Sequence, residues 1–298
     1  MANRRTRVSV PVERVEAYLR RLRDAYPALA VAAVEPLGSG DHNDALLVNG
    51  VLVFRFARTP QAHEALTRET VLLGALAGRL PLAIPHPRYV APDFMGYERL
   101  LGEPLDAVML RALPVADQQA IAAQLGAFLH ALHATPLDAV PEVARTRSDT
   151  RDEWADLYAR IRERLFARMR PDAREAVAAH FGAYLDDAEH FAFAPALRHG
   201  DIGPGNVLYD PATRRLSAIL DFGSAAYGDP ALDLASSLLG PRGYGESLVH
   251  ALEAEYPGTA ALLPRAHFYA GTFALQAALY GAEHDDPDDL RDGLAAYV

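Results

Sequence analysis

The sequence predicts an α+β fold in which short antiparallel strands dominate the first third of the chain and helices dominate the rest. Three observations support this prediction. Asn49-Gly50 separates two short apolar runs, and this dipeptide between such runs is a strong β-hairpin signal. Two further apolar runs flank a polar turn within residues 206–220, which predicts a second hairpin. Beyond residue 102, apolar residues recur mainly at helical spacing, as in residues 121–132.

The same patterns place the elements along the chain. Apolar residues three and four positions apart, from Val12 through Leu22 to Tyr26, predict an amphipathic first helix. Thr150 followed by Glu153 forms a capping-box pattern, which predicts the start of a later helix. The predicted helices cover residues 12–26, 60–76, 121–133, 150–169, 173–189 and 268–280, with a last helix from 287, and the predicted strands cover 31–37, 45–48, 51–56, 88–91 and 97–100.

The composition excludes several kinds of chemistry. The chain has no cysteine, so disulfides and thiolate catalysis are unavailable. All 29 residues of the Lys and Arg total are arginine, which excludes a Walker A lysine, a Schiff-base lysine and a lysine base. If a nucleotide phosphate needs a cation, an arginine must supply it. No apolar run approaches membrane-spanning length and no signal-peptide core follows the N-terminal arginines, so we expect a cytoplasmic protein with no membrane partner.

Charge is unevenly distributed along the chain. Residues 1–101 carry a formal balance of +3 and residues 102–298 a balance of −13, within a total of −10. This sign argues against nucleic acid as a partner. An acidic second half would attract a cationic substrate, although acidic surfaces also serve solubility alone.

The most informative stretch runs from residue 197 to residue 223. It contains the motif His199-Gly200-Asp201, then Asn206, and then the motif Asp221-Phe222-Gly223 at the end of the second hairpin. The hairpin would bring Asp201, Asn206 and Asp221 together as side chains that suit a metal ion or a proton. An ordinary hairpin with aspartates in its turns would explain any one of the three, but not all three at this spacing.

This pattern, followed by Gly228-Asp229-Pro230 and Asp233, resembles the signature of the aminoglycoside phosphotransferase family of kinase-like small-molecule phosphotransferases. The N-terminal half is most similar to the aminoglycoside 2″-phosphotransferases. The resemblance implies a bilobal protein-kinase-like fold, with a small antiparallel-sheet N-lobe and a mainly helical C-lobe. It also implies that residues 1–101 bind the nucleotide, whereas residues 102–298 carry catalysis and acceptor binding.

The resemblance assigns roles to the motif residues. Asp201 is the expected catalytic residue, which orients the acceptor hydroxyl and takes its proton. Asn206 and Asp221 are the expected Mg²⁺ ligands, because oxygen ligands suit a hard cation. His199 and Asp233 are expected to brace the catalytic loop. The cofactors implied are ATP or GTP together with Mg²⁺.

A strand arginine and a helix glutamate form the second candidate constellation. Arg55 lies within an apolar strand, and Glu69 lies on the leucine-bearing face of the next helix. Neither has a local partner, so we expect them to pair with each other. The pair resembles the strand cation and helix glutamate that hold nucleotide phosphates in the kinase fold, while a purely structural buried ion pair is the alternative.

Four further nucleotide contacts are expected from the resemblance. Gly40 and Asn43 fit a glycine-rich loop between the first two strands, whose backbone amides could approach phosphate oxygens. Glu98 and Leu100 lie where the family places the hinge that meets the purine. An ordinary turn and a loop-lined edge strand are the plain alternatives.

The acceptor contacts are the least defined. Helices that line the acceptor pocket in related enzymes suggest one acidic group, and the acidic C-terminal segment suggests another. These candidates are Asp149, Asp152, Glu153, Asp156, Glu283, Asp285 and Asp286. The C-terminal acids could equally cap the last helix. Trp154, the single tryptophan, is expected to pack in the core, and His130 with His133 is expected to be an ordinary helix-end pair rather than a zinc site.

The sequence leaves open the acceptor of the phosphotransferase and two other function classes, a hydrolase and a non-catalytic binding protein. Macrolide, homoserine, choline and sugar kinases share the same core motifs, so the acceptor stays open. A metal-dependent hydrolase would use the His and Asp residues but leaves the Arg55–Glu69 pair unexplained. A non-catalytic kinase-like binding protein is suggested by the missing lysine, whereas the intact Asp201, Asn206 and Asp221 argue against it.

Overall fold

The structure is a computed structural model that describes residues 10–39, 43–240 and 243–298. Within these residues the strands are β1 (Val34–Ser39), β2 (Asn43–Val48), β3 (Leu52–Ala57), β4 (Tyr89–Ala91), β5 (Phe94–Glu98), β6 (Glu103–Pro104), β7 (Ala196–Arg198), β8 (Val207–Asp210), β9 (Arg215–Ile219) and β10 (Ala226–Gly228). The helices are α1 (Val12–Ala25), α2 (Pro60–Leu76), α3 (Ala107–Ala112), α4 (Val115–His133), α5 (Arg151–Leu165), α6 (Pro171–Leu185), α7 (Ala231–Leu234), α8 (Val249–Glu255), α9 (Thr259–Glu283) and α10 (Pro287–Leu294).

The chain forms two compact units that are discontinuous in sequence. Unit 1 comprises the described part of residues 1–103 together with 138–145 and 208–223, and unit 2 comprises 104–137, 146–207 and the described part of 224–298. Across the described ranges, no helix has both the length and the apolar character needed to cross a bilayer. The predicted α+β character is confirmed, whereas the functional division between residues 101 and 102 stays a prediction.

Unit 1 is built on a five-stranded antiparallel sheet with strand order β1-β2-β3-β5-β4. The Asn49-Gly50 hairpin is confirmed: both residues have positive φ, and β2 pairs with β3 from Asn43 opposite Ala57 to Val48 opposite Leu52. The second predicted hairpin is present as β8 and β9. The register of the sheet places Arg55 opposite Ala45 and Met95, in the middle of three strands.

One face of this sheet packs against α1. Tyr18 stacks on Phe56 with ring centroids 4.3 Å apart, and Leu22 is fully buried in the same cluster. The predicted apolar stripe of α1 is therefore only partly right. Val12 is 70% exposed, and Tyr18 takes the buried position instead because its aromatic ring covers the sheet while its hydroxyl bonds to Asp44.

The helix α2 begins and ends at the predicted residues. Thr59 caps it by accepting the N–H of Ala62, and Pro60 occupies the first turn. Its buried stripe carries Leu66, Leu73 and Leu76 together with Glu69, so a carboxylate enters the core of unit 1 along with leucines. Burying that charge requires a partner.

Unit 2 is mainly helical. The capping box of α5 is confirmed, because Thr150 Oγ1 accepts the Glu153 N–H and the Glu153 carboxylate accepts the Thr150 N–H. Trp154 stacks on Tyr269 of α9 at 5.0 Å, which joins α5 to the longest helix. The strands β7 and β10 pair antiparallel, and this small sheet holds the motif that begins at His199.

Candidate active site

In unit 1, an arginine is held between two carboxylates. Arg55 Nη1 donates to Glu69 Oε1 at 2.6 Å, and Arg55 Nη2 donates to Asp221 Oδ1 at 3.1 Å. Glu69 Oε1 also accepts the N–H of Phe222 at 3.0 Å. The predicted pairing of Arg55 with Glu69 is thus confirmed, and the Asp-Phe-Gly motif closes the cluster.

Burial differs sharply among the three charged groups. The side chain of Glu69 is 1% exposed and that of Arg55 is 12% exposed, but that of Asp221 is 48% exposed. Burial by itself lowers the pKa of the Arg55 guanidinium, yet the carboxylates of Glu69 and Asp221 outweigh it and keep that pKa above its ordinary value. The arginine is therefore permanently charged, Glu69 fixes its direction, and Asp221 is the member that faces solvent.

The backbone at Asp221 is unusual. Its φ is +62°, a left-handed conformation that aspartate tolerates better than most residues. Such conformations cluster at functional sites because the surrounding structure must hold them. Here the Phe222 amide is tied to Glu69, so the strained turn and the ion pair support each other.

In unit 2, Asp201 and Asn206 lie together on the loop after β7. Asn206 Nδ2 donates to the backbone oxygen of Asp201 at 2.9 Å and to its Oδ2 at 3.0 Å. The side chain of Asp201 is exposed, whereas its own N–H donates to His199 Nδ1 at 3.2 Å. The structure therefore brings these two predicted residues together, and it brings Asp221 together with Arg55 and Glu69.

Asp233 holds the start of the loop after β7 through two backbone hydrogen bonds. Its Oδ2 accepts the His199 N–H at 2.8 Å and its Oδ1 accepts the Gly200 N–H at 2.7 Å, so it does contact the loop as predicted. Burial alone would raise the pKa of Asp233, but the hydrogen bond from His133 and the amide donors overcome it and lower that pKa. His133 Nε2 lies 3.0 Å from Asp233, and its Nδ1 lies 2.9 Å from the Tyr256 hydroxyl.

Gly200 explains why this motif has glycine between histidine and aspartate. Its φ is +85°, and a Cβ placed there would lie 2.3 Å from Arg198 Nη1 and 2.7 Å from the Ser224 oxygen. A side chain at this position would therefore be strained in its backbone and would collide with its neighbours. The arginine next to the motif occupies the space instead.

Arg198 and Asp149 form a buried, bidentate ion pair. Arg198 Nε donates to Asp149 Oδ2 at 2.6 Å and Nη2 donates to Oδ1 at 3.0 Å. Arg198 Nη1 also donates to the Ser224 oxygen, and Asp149 Oδ2 accepts the Asp229 N–H. The pair thus connects β7 to the two segments that flank β10, and Asp149 is occupied by structural contacts.

A cavity of about 250 Å³ opens beside this ion pair, entirely within unit 2. Its walls combine aliphatic and aromatic side chains with a few polar groups, and it reaches Gly200 of the His199-Gly200-Asp201 motif. The lining residues are Ser148, Asp149, Glu153, Trp154, Leu157, Arg198, Gly200, Leu232, Phe273 and Gln276.

The other predicted nucleotide contacts are placed as follows. Gly40 lies outside the described residues. Asn43 begins β2 opposite Ala57, and Glu98 ends β5 with its carboxylate 2.5 Å from Arg88. Leu100 is partly exposed just beyond β5. Their roles toward a nucleotide stay predictions.

Most of the predicted acidic acceptor contacts have partners within the chain. Arg160 pairs with Glu283 at 2.6 Å and with Asp156 at 3.6 Å, and Asp286 caps α10. Asp152 is exposed in the first turn of α5, and Asp285 has a φ of +55° beside α9. Glu153 and Asp149 both line the cavity, and the Glu153 carboxylate accepts the Thr150 N–H.

Sequence reasoning missed three residues that shape the site. Arg198 had no signal except its place directly before the motif, and Tyr256 had none. The sequence predicts His133 only as an ordinary helix-end histidine. It contacts Asp233 across a separation of 100 residues, which no local pattern reveals.

The donor set suits magnesium rather than a metal held by protein alone. In the described parts of the chain, no three His, Asp or Glu residues cluster as a metal site. Mg²⁺ is commonly bound by one or two carboxylates together with substrate phosphates, and needs no such cluster. Asn206 uses its amide nitrogen toward Asp201, which leaves its carbonyl oxygen as a ligand, and Asp221 offers a half-exposed carboxylate. Each of these donors suits the ion by its type, and their joint role as ligands stays a prediction.

Comparisons with known proteins bear on the family of this chain. Residues 33–268 match the model of the phosphotransferase enzyme family, APH. Viomycin phosphotransferase from Streptomyces vinaceus is 33% identical over 256 residues, which cover 81% of this chain and 85% of that protein.

Solved structures are similar over nearly the whole chain. The GDP and kanamycin complex of APH(2″)-IIIa superposes with a TM-score of 0.86 at 26% identity, covering 94% of this chain and 96% of that one. Macrolide 2′-phosphotransferase type I shares the fold, with a TM-score of 0.76 at 22% identity over 98% of this chain and 99% of that one. This membership sets aside the hydrolase and the non-catalytic binding protein. The chain belongs to the phosphotransferase enzyme family, has its kinase-like fold, and is a phosphotransferase that acts on an alcohol group.

Proposed function

We propose that the protein transfers the γ-phosphate of ATP or GTP, with Mg²⁺, to a hydroxyl group of a small cationic molecule of the aminoglycoside type. The observation that carries this proposal is the Arg55 guanidinium, held between buried Glu69 and half-exposed Asp221. A fixed cation beside a solvent-facing carboxylate suits a magnesium-bound triphosphate, because the cation takes phosphate oxygens and the carboxylate takes the metal.

The nucleotide contacts are assigned to unit 1. Arg55 grips the phosphates as a bidentate donor, and Glu69 fixes its orientation. Backbone amides at Gly40 and Asn43 are the proposed contacts for the phosphate oxygens. The backbone around Glu98 and Leu100 meets the purine. Neighbours of this fold were solved with GDP and with ADP, which supports a nucleotide but leaves the purine preference to experiment.

The transfer step is assigned to the loop after β7. Asp201 orients the acceptor hydroxyl and receives its proton, and its side chain is exposed to solvent. Asn206 and Asp221 hold the Mg²⁺, which when bound neutralises charge on the transferring phosphoryl group. Asp233 and His199 keep the loop in place, because both of its leading amides are bonded to the Asp233 carboxylate.

The acceptor class is inferred from charge and from relatives. Residues 102–298 carry a strongly negative balance, which attracts cations. The viomycin enzyme and the kanamycin, gentamicin and streptomycin complexes concern antibiotics, which supports an antibiotic acceptor here. The acidic candidates of α5 and of the C-terminal segment are the proposed contacts for its cationic groups.

The test is phosphoryl transfer to a panel of aminoglycosides, macrolides and viomycin, with ATP and with GTP, each with and without Mg²⁺. We expect Mg²⁺-dependent transfer to at least one cationic acceptor. Asp221→Ala should remove the effect of Mg²⁺ on nucleotide binding, whereas Asp210→Ala, at the end of β8 in the same hairpin, should preserve it. Nucleotide binding that ignores Mg²⁺ in the wild-type protein would contradict the proposal.

A further inference from the structure

Tyr256, which directly follows α8, is connected to the loop after β7 by two side chains. Asp233 Oδ2 accepts the N–H of His199, and the same oxygen lies 3.0 Å from His133 Nε2. The other ring nitrogen of His133, Nδ1, lies 2.9 Å from the Tyr256 hydroxyl. All of these residues belong to unit 2. A continuous series of hydrogen bonds therefore runs from Tyr256 to the start of the loop that carries Asp201.

The backbone position of Tyr256 is set by the close packing of α8 on α4. A Cβ placed at Gly126 of α4 would lie 2.9 Å from the Leu252 oxygen of α8, so a larger residue would force the two helices apart. The Tyr256 N–H donates to the same Leu252 oxygen at 2.8 Å. Tyr256 is therefore held where α8 ends, within reach of His133 at the end of α4.

Two histidines of α4 hold the Tyr256 ring. His130 is stacked on it with the ring planes 2° apart and the centroids 5.1 Å apart, and His130 Nδ1 lies 3.0 Å from the backbone oxygen of Glu255. The ring of His133 meets the Tyr256 ring edge to face at 5.4 Å. Both ring arrangements are favourable for aromatic pairs. The phenol is thus fixed with its hydroxyl against His133.

The hydrogen bonds indicate where the protons of this series lie. Although burial alone would raise the pKa of Asp233, the hydrogen bond from His133 lowers it, so Asp233 is a carboxylate and can only accept. His133 Nε2 must then carry a proton in order to bond to it. Burial and the nearby Asp233 carboxylate raise the pKa of the Tyr256 hydroxyl to about 12, so this hydroxyl keeps its proton and can donate to Nδ1.

We infer that Tyr256 is a positioning residue for phosphoryl transfer. Its hydroxyl donates to His133 Nδ1 and so holds the ring with Nε2–H directed at Asp233. The Asp233 carboxylate then holds the first two amides of the loop, and with them the direction of Asp201. The inference rests on the proposed function, in which Asp201 takes the acceptor proton. Displacing a reacting group by about 1 Å can cost about 100-fold in rate.

Amide hydrogen exchange separates this role from general stabilisation of the fold. Tyr256→Phe keeps the stacked ring and removes only the hydroxyl. The amides of His199 and Gly200, which are bonded to Asp233, should then exchange at least tenfold faster, whereas the amides of α9 in the same unit should not change. A general loss of stability would speed both sets equally and would overturn the inference.

Two further variants test the route through the histidine. Tyr184→Phe removes another tyrosine hydroxyl of unit 2, which donates to Tyr269 at 2.8 Å, and it should leave both loop amides unchanged. His133→Gln interrupts the series, so adding Tyr256→Phe to it should have no further effect on the loop amides. Equal effects of Tyr184→Phe and Tyr256→Phe, or additive effects of the two substitutions in the double variant, would contradict a route through His133.

The imidazole ring gives a spectroscopic signature that needs no substrate. Nitrogen NMR of the wild-type protein should show His133 with a proton on Nε2 and none on Nδ1, and with Nδ1 accepting a hydrogen bond. In Tyr256→Phe the Nδ1 signal should move toward that of a nitrogen without a hydrogen bond. A proton on Nδ1 in the wild-type protein, or a Nδ1 signal that Tyr256→Phe does not move, would overturn the inference.

The kinetic test uses the acceptor of the panel that is phosphorylated fastest. Tyr256→Phe should lower kcat about tenfold and leave the KM of nucleotide and of acceptor unchanged, because only the orientation of Asp201 is affected. Transfer with an unchanged kcat would refute the inference and leave the proposed function standing. The expected exchange and nitrogen signals without transfer to any acceptor would support the positioning of the loop by Tyr256 and refute the proposed function.

Discussion

Asp149→Ala tests whether the buried ion pair next to the His199-Gly200-Asp201 motif stabilises unit 2. The variant removes both partners of the Arg198 bidentate contact and the acceptor of the Asp229 N–H. Burial disfavours the charged form of Arg198, and Asp149 is what keeps its pKa above the ordinary value. Leaving one member of a buried pair unpaired typically costs about 3–5 kcal/mol of unfolding free energy. We expect a loss in this range.

The assay is urea denaturation followed by the emission of Trp154, which lies in unit 2 and therefore reports the unfolding of that unit. A matched control is Asp172→Ala, because Asp172 pairs with Arg170 on the exposed surface, where ion pairs contribute little to the unfolding free energy. The double variant Asp149→Ala/Arg198→Met should be less destabilised than Asp149→Ala alone, since it removes the orphaned charge. A loss below about 1 kcal/mol for Asp149→Ala would refute the reasoning.

Three further predictions follow from the site. Asp201→Ala should abolish phosphoryl transfer while leaving nucleotide affinity nearly intact, as measured by calorimetry beside turnover; retained transfer would remove its catalytic role. Arg55→Ala should weaken binding of the magnesium nucleotide at least tenfold, about 1.4 kcal/mol, whereas Arg21→Ala, from an exposed pair of unit 1, should not change it. The lowered pKa of Asp233 stabilises the fold above the unfolded value of about 4, and this stability is lost as the pH falls toward the folded value. Denaturation at a series of pH values should therefore show a shallower acid slope for Asp233→Asn, and equal slopes would contradict the assignment.

Local signals in the sequence predicted much of unit 1. The Asn49-Gly50 turn and Pro60 each act through their own backbone preferences, so no distant contact was needed to place them. The pairing of Arg55 with Glu69 was also predictable, because each residue is placed on an apolar face and each lacks a local partner. Those arguments require only the periodicity of one strand and one helix.

Contacts between segments that are distant in the sequence could not be predicted from local patterns. Arg198 and Asp149 are 49 residues apart, and nothing near either residue indicates the other. Similarly, Tyr18 rather than Val12 faces the sheet of unit 1, because the position of α1 is fixed by aromatic stacking and by the bond to Asp44. Helical spacing alone predicts that α1 has an apolar face, but it does not determine which residues near that face are buried.

The predicted acceptor contacts also divide into what the sequence shows and what only the structure shows. The sequence identified acidic residues by charge and position, but only coordinates show which of them are already paired. Asp149, Glu283 and Asp156 have arginine partners, whereas the contact found for the exposed Glu153 carboxylate is the Thr150 N–H. Whether an acidic residue is neutralised depends on its neighbours in three dimensions. The composition therefore could not show which of these residues have an arginine partner.

The most direct test is phosphorus NMR of a mixture of the protein, Mg²⁺, a purine triphosphate and a cationic aminoglycoside. We expect the γ-phosphate signal to be replaced by that of a phosphate monoester on the acceptor, with nucleoside diphosphate as the other product, and we expect no such signal with Asp201→Ala. Release of inorganic phosphate alone, or a triphosphate that stays unchanged with every acceptor of the panel, would contradict the assignment of Arg55, Asp201 and Asp221 to phosphoryl transfer.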